Sequence, residues 1–177
     1  ILLSLLLASS AKAGQCPKKS TWNSTSYDYS DSDCNAYLEL ENATHCGDSG
    51  YALNFGYPIC RNFVDNRCMF FPNGKAFIDC AKPCLANYVR DHIIAAGITN
   101  CSEITQLAFA SHIPCYNECH FCDVILSNSF QFGFTFGERF QAFFSDPAFQ
   151  QLIAIGSDCA SNPLGFLLSV LGILPRT

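Results

Sequence analysis

The sequence predicts an all-α protein, a disulfide-rich bundle of short helices with an irregular N-terminal arm. The chain has 177 residues and a formal charge of −5; 49% of its residues are hydrophobic and 12 are cysteines. That length suits one domain with its own core, and the apolar content excludes general disorder. Because a reducing cytosol has little use for so many thiols, the cysteines indicate an exported, oxidised chain unless they bind metal. The acidic balance argues against a nucleic-acid partner.

The N-terminus has the pattern of a secretory signal peptide. Residues 1–7 are almost purely aliphatic, and a small-x-small site ends at Ala13. This pattern predicts cleavage after Ala13 and therefore a secreted, extracellular protein. No Met and no basic segment precede the run, so we interpret residues 1–13 as a signal peptide that lacks its n-region. A buried N-terminal helix is the alternative.

Three N-x-S/T sequons agree with export and predict surface glycans at Asn23, Asn42 and Asn100. Asn100 is the weakest of the three candidates, because the middle residue of its sequon is Cys101, which is itself available for a disulfide.

The first part of the exported chain, residues 14–50, is predicted to be the irregular arm. Residues 20–33 are rich in Ser, Asp, Asn and Tyr and show no apolar period. A helical domain is expected over residues 51–177. The arm would be tied down by three cysteines, namely Cys16, Cys34 and Cys46.

Apolar periodicity predicts two helices in the first half of the helical domain. Pro58 suits the first turn of a helix whose apolar residues recur four apart and which ends near Cys68. Residues 71–74, Phe-Pro-Asn-Gly, predict a turn. A helical stripe then covers residues 75–94, and Pro83 within it predicts a kink or a division into two shorter helices.

The next helices are predicted from capping and spacing. Asn100 and Glu103 are three apart, which favours a helix start with reciprocal capping, and the helical spacing continues to Pro114. A further short helix is expected over residues 115–126.

The last part of the chain begins with four phenylalanines at alternate positions, which is strand spacing. Because one isolated strand cannot form a sheet, we interpret the run as an extended linker pressing rings onto the core, with a short paired strand as the alternative. The alternating residues are Phe130, Phe132, Phe134 and Phe136.

The remaining residues are predicted to be helical. Residues 138–145 and 147–155 are predicted to form two short helices. Residues 163–174 are apolar but too short to span a bilayer, so a core helix and no membrane span are expected.

The sequence contains no recognisable catalytic motif, so we expect no catalytic residue, no metal and no cofactor. The one cluster of candidate ligands is Cys115, Cys119, His120 and Cys122. An alternative function is therefore a secreted enzyme or metal-site protein that binds an iron–sulfur cluster or zinc there. Both sites need thiolates, which an oxidising compartment removes, so disulfides are favoured.

The cysteine spacing resembles the stanniocalcin family. Residues 74–77, Gly-Lys-Ala-Phe, are followed after six residues by Cys84-Leu-Ala-Asn. The next three cysteines, at positions 101, 115 and 122, follow Cys84 with 16, 13 and 6 residues in between, which are nearly the family intervals. Residues 40–46 are similar to the family's glycosylated Leu-Glu-Asn-Ser-Thr-Cys segment. The resemblance extends from about Cys34 to Cys159.

The resemblance implies a secreted, glycosylated hormone-like protein that acts by protein–protein binding and is not an enzyme. It also implies a role like that of family members that regulate calcium and phosphate homeostasis or inhibit pappalysin-type metalloproteases. The implied partners are a protein receptor or an extracellular protease, and a second copy in a homodimer. The family glycan falls on Asn42. The family half-cystines fall on Cys46, Cys60, Cys84, Cys101, Cys115, Cys122 and Cys159.

The chain also departs from the family pattern. Family members have an interchain cysteine beyond the position of Cys159, and this sequence has none there. Cys68, Cys80 and Cys119 have no family counterpart. Cys68 and Cys80 flank the predicted turn and are placed to bridge, which would leave Cys119 to pair with Cys16 or with another chain. A disulfide-rich structural surface protein is a third class of function.

Overall fold

The computed structural model describes residues 31–136 and Cys159, and within these residues every regular element is helical. The all-α prediction is confirmed. Two π-helical turns, at Ala52–Gly56 and Val89–Ile94, and one 3-10 turn, at Arg67–Met69, extend the α-helices. The α-helices are α1 (Ser32–Thr44), α2 (Tyr57–Asn66), α3 (Pro72–Tyr88), α4 (Cys101–Ala110), α5 (His112–Glu118), α6 (Phe121–Ile125) and α7 (Ser129–Phe136).

Helix α1 lies in the segment that was predicted to be irregular, so that prediction is wrong for residues 32–44. The Asp-rich sequence is its N-cap, since Asp31 Oδ1 accepts hydrogen bonds from the backbone N–H groups of Asp33 and Cys34, both at 3.1 Å. Ala36 and Leu40 are fully buried four residues apart, which is helical spacing. Residues 45–50 of the predicted arm are irregular, as expected. Its residues 14–30 and the predicted signal peptide, residues 1–13, lie outside the described residues.

Helices α2 and α3 confirm two predicted helices but change one boundary. Pro58 lies in the first turn of α2, and the 3-10 turn extends this helix past Cys68. The predicted turn over residues 71–74 is wrong, because Pro72 is the first residue of α3, where its fixed φ and missing N–H cost nothing. Helix α3 continues through Pro83, so the predicted division into two helices is also wrong.

Helix α4 begins as the capping pattern predicts. Asn100 Oδ1 accepts hydrogen bonds from the backbone N–H groups of Ser102 (3.1 Å) and Glu103 (3.0 Å). The single helix expected over residues 115–126 is instead two helices, α5 and α6. They are separated at His120, which has a left-handed backbone conformation with φ 58°.

Helix α7 replaces the predicted extended run of phenylalanines, and that prediction is wrong. Helical hydrogen bonding continues from α6, since Phe132 N–H donates to the Asn128 carbonyl at 2.9 Å. Phe132 is only 1% exposed, while Phe130 and Phe134 on either side are more than half exposed. The buried ring packs with centroid distances of 5.2–5.9 Å against four aromatic neighbours, Phe63, Phe70, Phe77 and Phe121.

The core is organised around α3. This helix packs against α1, α5 and α6, and α7 packs against α2. The arrangement brings residues from both halves of the described chain into one apolar cluster. The helices predicted over residues 138–145, 147–155 and 163–174 lie outside the described residues. Among the helices that are described, none has both the length and the hydropathy needed to cross a membrane.

Candidate binding sites and the disulfide framework

Disulfides join helices that are distant in sequence. The bonds between described residues are Cys34–Cys60, Cys46–Cys101, Cys80–Cys119, Cys84–Cys115 and Cys122–Cys159. Cys68 is also disulfide-bonded, and its partner is not among the described residues.

The pairing corrects two hypotheses drawn from the sequence. Cys80 is bonded to Cys119, so the expected Cys68–Cys80 bridge is wrong, and so are both expected roles of Cys119. A sequence signal for the true pairing existed. Cys80 and Cys84 are four apart, as are Cys115 and Cys119, so the two cysteines of each pair lie on the same side of a helix. Two antiparallel helices can therefore be joined by two neighbouring disulfides.

The three cysteines of the candidate metal cluster are all engaged in disulfides. The sulfur atoms of Cys115, Cys119 and Cys122 are all bonded within the chain, and His120 is exposed. A disulfide sulfur is not a thiolate ligand, so these residues cannot form the iron–sulfur or zinc site of the alternative hypothesis. Elsewhere in the described part of the chain, no group of three or more His, Cys, Asp or Glu side chains is placed to bind a metal ion.

Acidic side chains are used in ion pairs between helices. Lys82 Nζ of α3 lies 2.6 Å from the N-cap carboxylate of Asp31, and Arg90 Nε lies 2.7 Å from Glu39 of α1. Burial raises the pKa of Asp31, but the hydrogen bonds from Lys82 and the backbone outweigh it and leave that pKa lowered. The hydrogen bond from Arg90 likewise lowers the pKa of Glu39. These pairs hold α1 against the C-terminal half of α3 and the turn after it.

Two of the predicted glycosylation sites lie at one end of the bundle. Asn42 is exposed in the last turn of α1, and Asn100 is exposed at the start of α4. The Cys46–Cys101 bond brings the two segments together. Asn100 uses Oδ1 for capping, which leaves its amide nitrogen, the atom that carries an N-linked glycan, available. Asn23 lies outside the described residues.

Three large apolar side chains that are more than half exposed in the described residues follow one helical spacing. Leu126, Phe130 and Phe134 are spaced four apart and are 67%, 58% and 56% exposed. We call these three residues the α7 stripe. Phe71, in the segment before α3, is 53% exposed. The sequence analysis missed this surface because the alternation of phenylalanines pointed to an extended chain.

A cavity lined mainly by aromatic rings lies between α1, α2, α3 and α5. Its volume is ≈ 40 Å³, which is room for a few water molecules. Three tyrosines from three different elements line it, Tyr37, Tyr51 and Tyr116, together with His112 and Lys82. We call this space the tyrosine cavity.

The tyrosine cavity favours neutral groups. Burial raises the pKa of the Tyr37, Tyr51 and Tyr116 hydroxyls, and nearby negative charge adds to the effect, from Asp33 at Tyr37, from ionised Tyr37 and Tyr116 at Tyr51, and from ionised Tyr37 at Tyr116. Burial lowers the pKa of His112 to about 4, although hydrogen bonds between its Nδ1 and backbone carbonyls oppose the shift. At neutral pH the four groups are therefore uncharged.

The depressed pKa of His112 predicts a loss of stability in acid. Its pKa of about 4 in the folded state lies below the ordinary histidine value of 6.5, so the unfolded chain takes up the proton first. Stability should fall as the pH falls from about 6.5 to about 4, by about 3 kcal/mol in full. Urea unfolding of the native chain and of His112→Phe at pH 7 and pH 4 measures this. The variant should lose about 3 kcal/mol less than the native chain on acidification, and an equal loss in both would contradict the assignment.

A model of the stanniocalcin family matches residues 23–169, a range that includes all the described helices. No solved structure matches the chain significantly.

Proposed function

The chain belongs to the stanniocalcin family, whose members are secreted and hormone-like, and we propose that it is a secreted glycoprotein that regulates an extracellular protein by binding it. The observation that supports this most is the family match over residues 23–169 of a disulfide-bonded bundle. Each bond restricts the unfolded chain and contributes about 2–4 kcal/mol, so the surface is held in place before binding.

The proposed target is a pappalysin-type metalloprotease, or a receptor that controls calcium and phosphate handling. The purified secreted protein should be titrated against such a protease while cleavage of its protein substrate is followed. We expect inhibition that saturates at one inhibitor chain per protease active site. Reduced and alkylated protein is the matched control, since it has the same sequence without the framework. Full protease activity at saturating inhibitor, with no change in cellular calcium or phosphate uptake, would contradict the proposal.

Secretion and glycosylation are part of the same proposal. Expression in secretory cells should release a chain that begins at Gly14 and carries glycans at Asn23 and Asn42, with Asn100 as a third site. Glycosidase treatment should lower the apparent mass, and Asn42→Gln should remove one step of that shift. A protein retained on the cell surface would instead favour the structural class of function.

We also propose that the chain forms a homodimer through the α7 stripe. The stripe is an exposed apolar surface that a second copy can cover by two-fold symmetry.

The stripe predicts a specific loss of association. The double variant Phe130→Ser with Phe134→Ser should convert the dimer to a monomer in light scattering after size exclusion, because both side chains are more than half exposed and their loss leaves the core intact. Gln106→Ser, an exposed change on α4, is the control and should leave the dimer unchanged. A native chain that is monomeric at high micromolar concentration, or a double variant that still dimerises, would contradict this interface.

A further inference from the structure

We infer that glycan transfer to Asn100 competes with formation of the Cys46–Cys101 disulfide, so that the timing of this one bond decides whether a chain carries a glycan there. This competition rests on the proposed secretion of the chain, because both reactions take place in the secretory pathway.

The Asn100 sequon is built into the first turn of α4. Asn100 is the N-cap, and its Oδ1 accepts the backbone N–H groups of Ser102 at 3.1 Å and Glu103 at 3.0 Å. The backbone carbonyl of Asn100 accepts the N–H of Ile104 at 2.9 Å. Acceptor sequons are read in loops, so the cap and the first helical turn must be open when the glycan is transferred.

The disulfide closes the same turn. Cys101 is the middle residue of the sequon and the first residue of α4, and its sulfur is bonded to Cys46 just after α1. The Cα atoms of the two cysteines are 5.7 Å apart, so closure places a second chain segment directly against the acceptor. Formation of the bond therefore excludes the transferase and fixes the start of α4.

A glycan that is already attached is compatible with the folded structure. The cap uses Oδ1 of Asn100, whereas the glycan is carried by Nδ2, and the side chain is exposed. Cys101 is exposed as well, so a glycosylated chain can still form its bond. The disulfide therefore blocks the glycan but the glycan does not block the disulfide, and chains with and without the glycan should both contain Cys46–Cys101.

The order of synthesis places the competition on Asn100 and not on Asn42. Cys46 follows Asn42 by four residues, but Cys101 is 55 residues further along the chain. At about 5–20 residues per second, about 3–11 s pass before Cys101 is made, and Asn42 is free for transfer during that time. When Asn100 is made, Cys46 is already present and the bond can form within seconds.

The two reactions use different co-reactants. In glycan transfer, Nδ2 of Asn100 forms a bond to C1 of an oligosaccharide carried on a lipid pyrophosphate. The C1–O bond to the pyrophosphate breaks, and Nδ2 loses a proton. In oxidation, the two cysteine thiols give two electrons and two protons to the disulfide of an oxidoreductase, which becomes a dithiol. A reductant therefore stops the second reaction and leaves the first intact.

Cell-free translation of the full chain into microsomes tests the competition. Asn23→Gln combined with Asn42→Gln leaves Asn100 as the one N-x-S/T sequon in the sequence. Its occupancy is the fraction of chains whose apparent mass falls after glycosidase treatment. With oxidised glutathione, comparable rates of the two reactions should leave about half of the chains glycosylated. Dithiothreitol, or Cys46→Ala without it, should raise that fraction about twofold.

A second disulfide supplies the matched control. Cys80→Ala combined with Cys119→Ala removes a bond between α3 and α5 and should leave the occupancy of Asn100 unchanged. An equal rise in this control would show that slow folding in general exposes the sequon, and it would overturn the inference. These measurements do not require any variant to fold, because the glycan is transferred before folding is complete.

The remaining outcomes separate this inference from the proposed secretion. A glycan at Asn42 together with an occupancy of Asn100 that neither dithiothreitol nor Cys46→Ala changes would overturn the competition alone. A native chain that carries no glycan at any sequon would contradict secretion and the competition together.

Discussion

Removing both disulfides that connect α3 to α5 is expected to cost more stability than the sum of the two single removals. Cys84–Cys115 lies inside the loop closed by Cys80–Cys119, with sequence separations of 31 and 39. While one bond remains, the other closes only a small ring that contains residues 80–84 and 115–119. Losing both bonds opens the long loop as well.

The chain-entropy relation gives the size of this coupling. A ring of about ten residues corresponds to about 2.7 kcal/mol, so each single removal should cost about that much. Removal of both should cost about 6.6 kcal/mol, which is about 1 kcal/mol more than the sum. This is a large fraction of the stability of a small domain, so the double variant is expected to be poorly secreted.

The measurement is denaturant unfolding of paired Cys→Ala variants without reductant. Cys34–Cys60 combined with Cys84–Cys115 is the matched control, because their loops do not overlap in sequence and their effects should add. A nested pair that behaves like the control pair would show that the bonds stabilise mainly through contacts in the folded state.

The sequence predicted the helices whose local signals agree with their packing. Asn100 caps α4 as expected, and Pro58 lies in the first turn of α2, because capping and the fixed φ of proline act within one turn of chain. The composition of residues 20–33 concealed the start of α1, because Asp and Ser are typical both of loops and of N-caps. Only the burial of the residues that follow distinguishes an N-cap from a loop here.

The run of alternating phenylalanines could not be interpreted locally. The rings of Phe130 and Phe134 are exposed and that of Phe132 is buried, so the alternation is real but belongs to a helix. What decides the structure is the aromatic cluster around Phe132, whose members come from three other helices and from the segment before α3. Contacts between residues so distant in sequence leave no local pattern. The tyrosine cavity was missed for the same reason, because its three tyrosines lie on separate elements.

Substitution of Asn128 is expected to lower the free energy of unfolding. This asparagine is fully buried, and its amide joins three segments. Oδ1 accepts the backbone N–H of Phe71 at 2.9 Å, and Nδ2 donates to the Val124 carbonyl at 3.0 Å and to Asn73 at 3.2 Å. Gly74 lies directly beside it, since a Cβ there would be 2.5 Å from Oδ1. The close approach of the Asn128 amide therefore requires glycine at the first position of the Gly-Lys-Ala-Phe segment.

Asn128→Leu keeps the approximate volume but leaves the backbone N–H of Phe71 without its partner, whereas Asn73 Oδ1 keeps the backbone N–H of Gly74 at 2.9 Å. We expect a loss of about 1–3 kcal/mol in the free energy of unfolding, because an unsatisfied buried group costs about that much. Asn73→Ala is the control: it removes an exposed partner in the same network and should cost less than about 1 kcal/mol. Gly74→Ala should destabilise the native chain more than it destabilises Asn128→Ala, because truncation removes the oxygen that the new methyl would meet. Equal effects of Gly74→Ala in the two backgrounds would show that the glycine serves another contact, such as the ring of Phe70 at 2.9 Å.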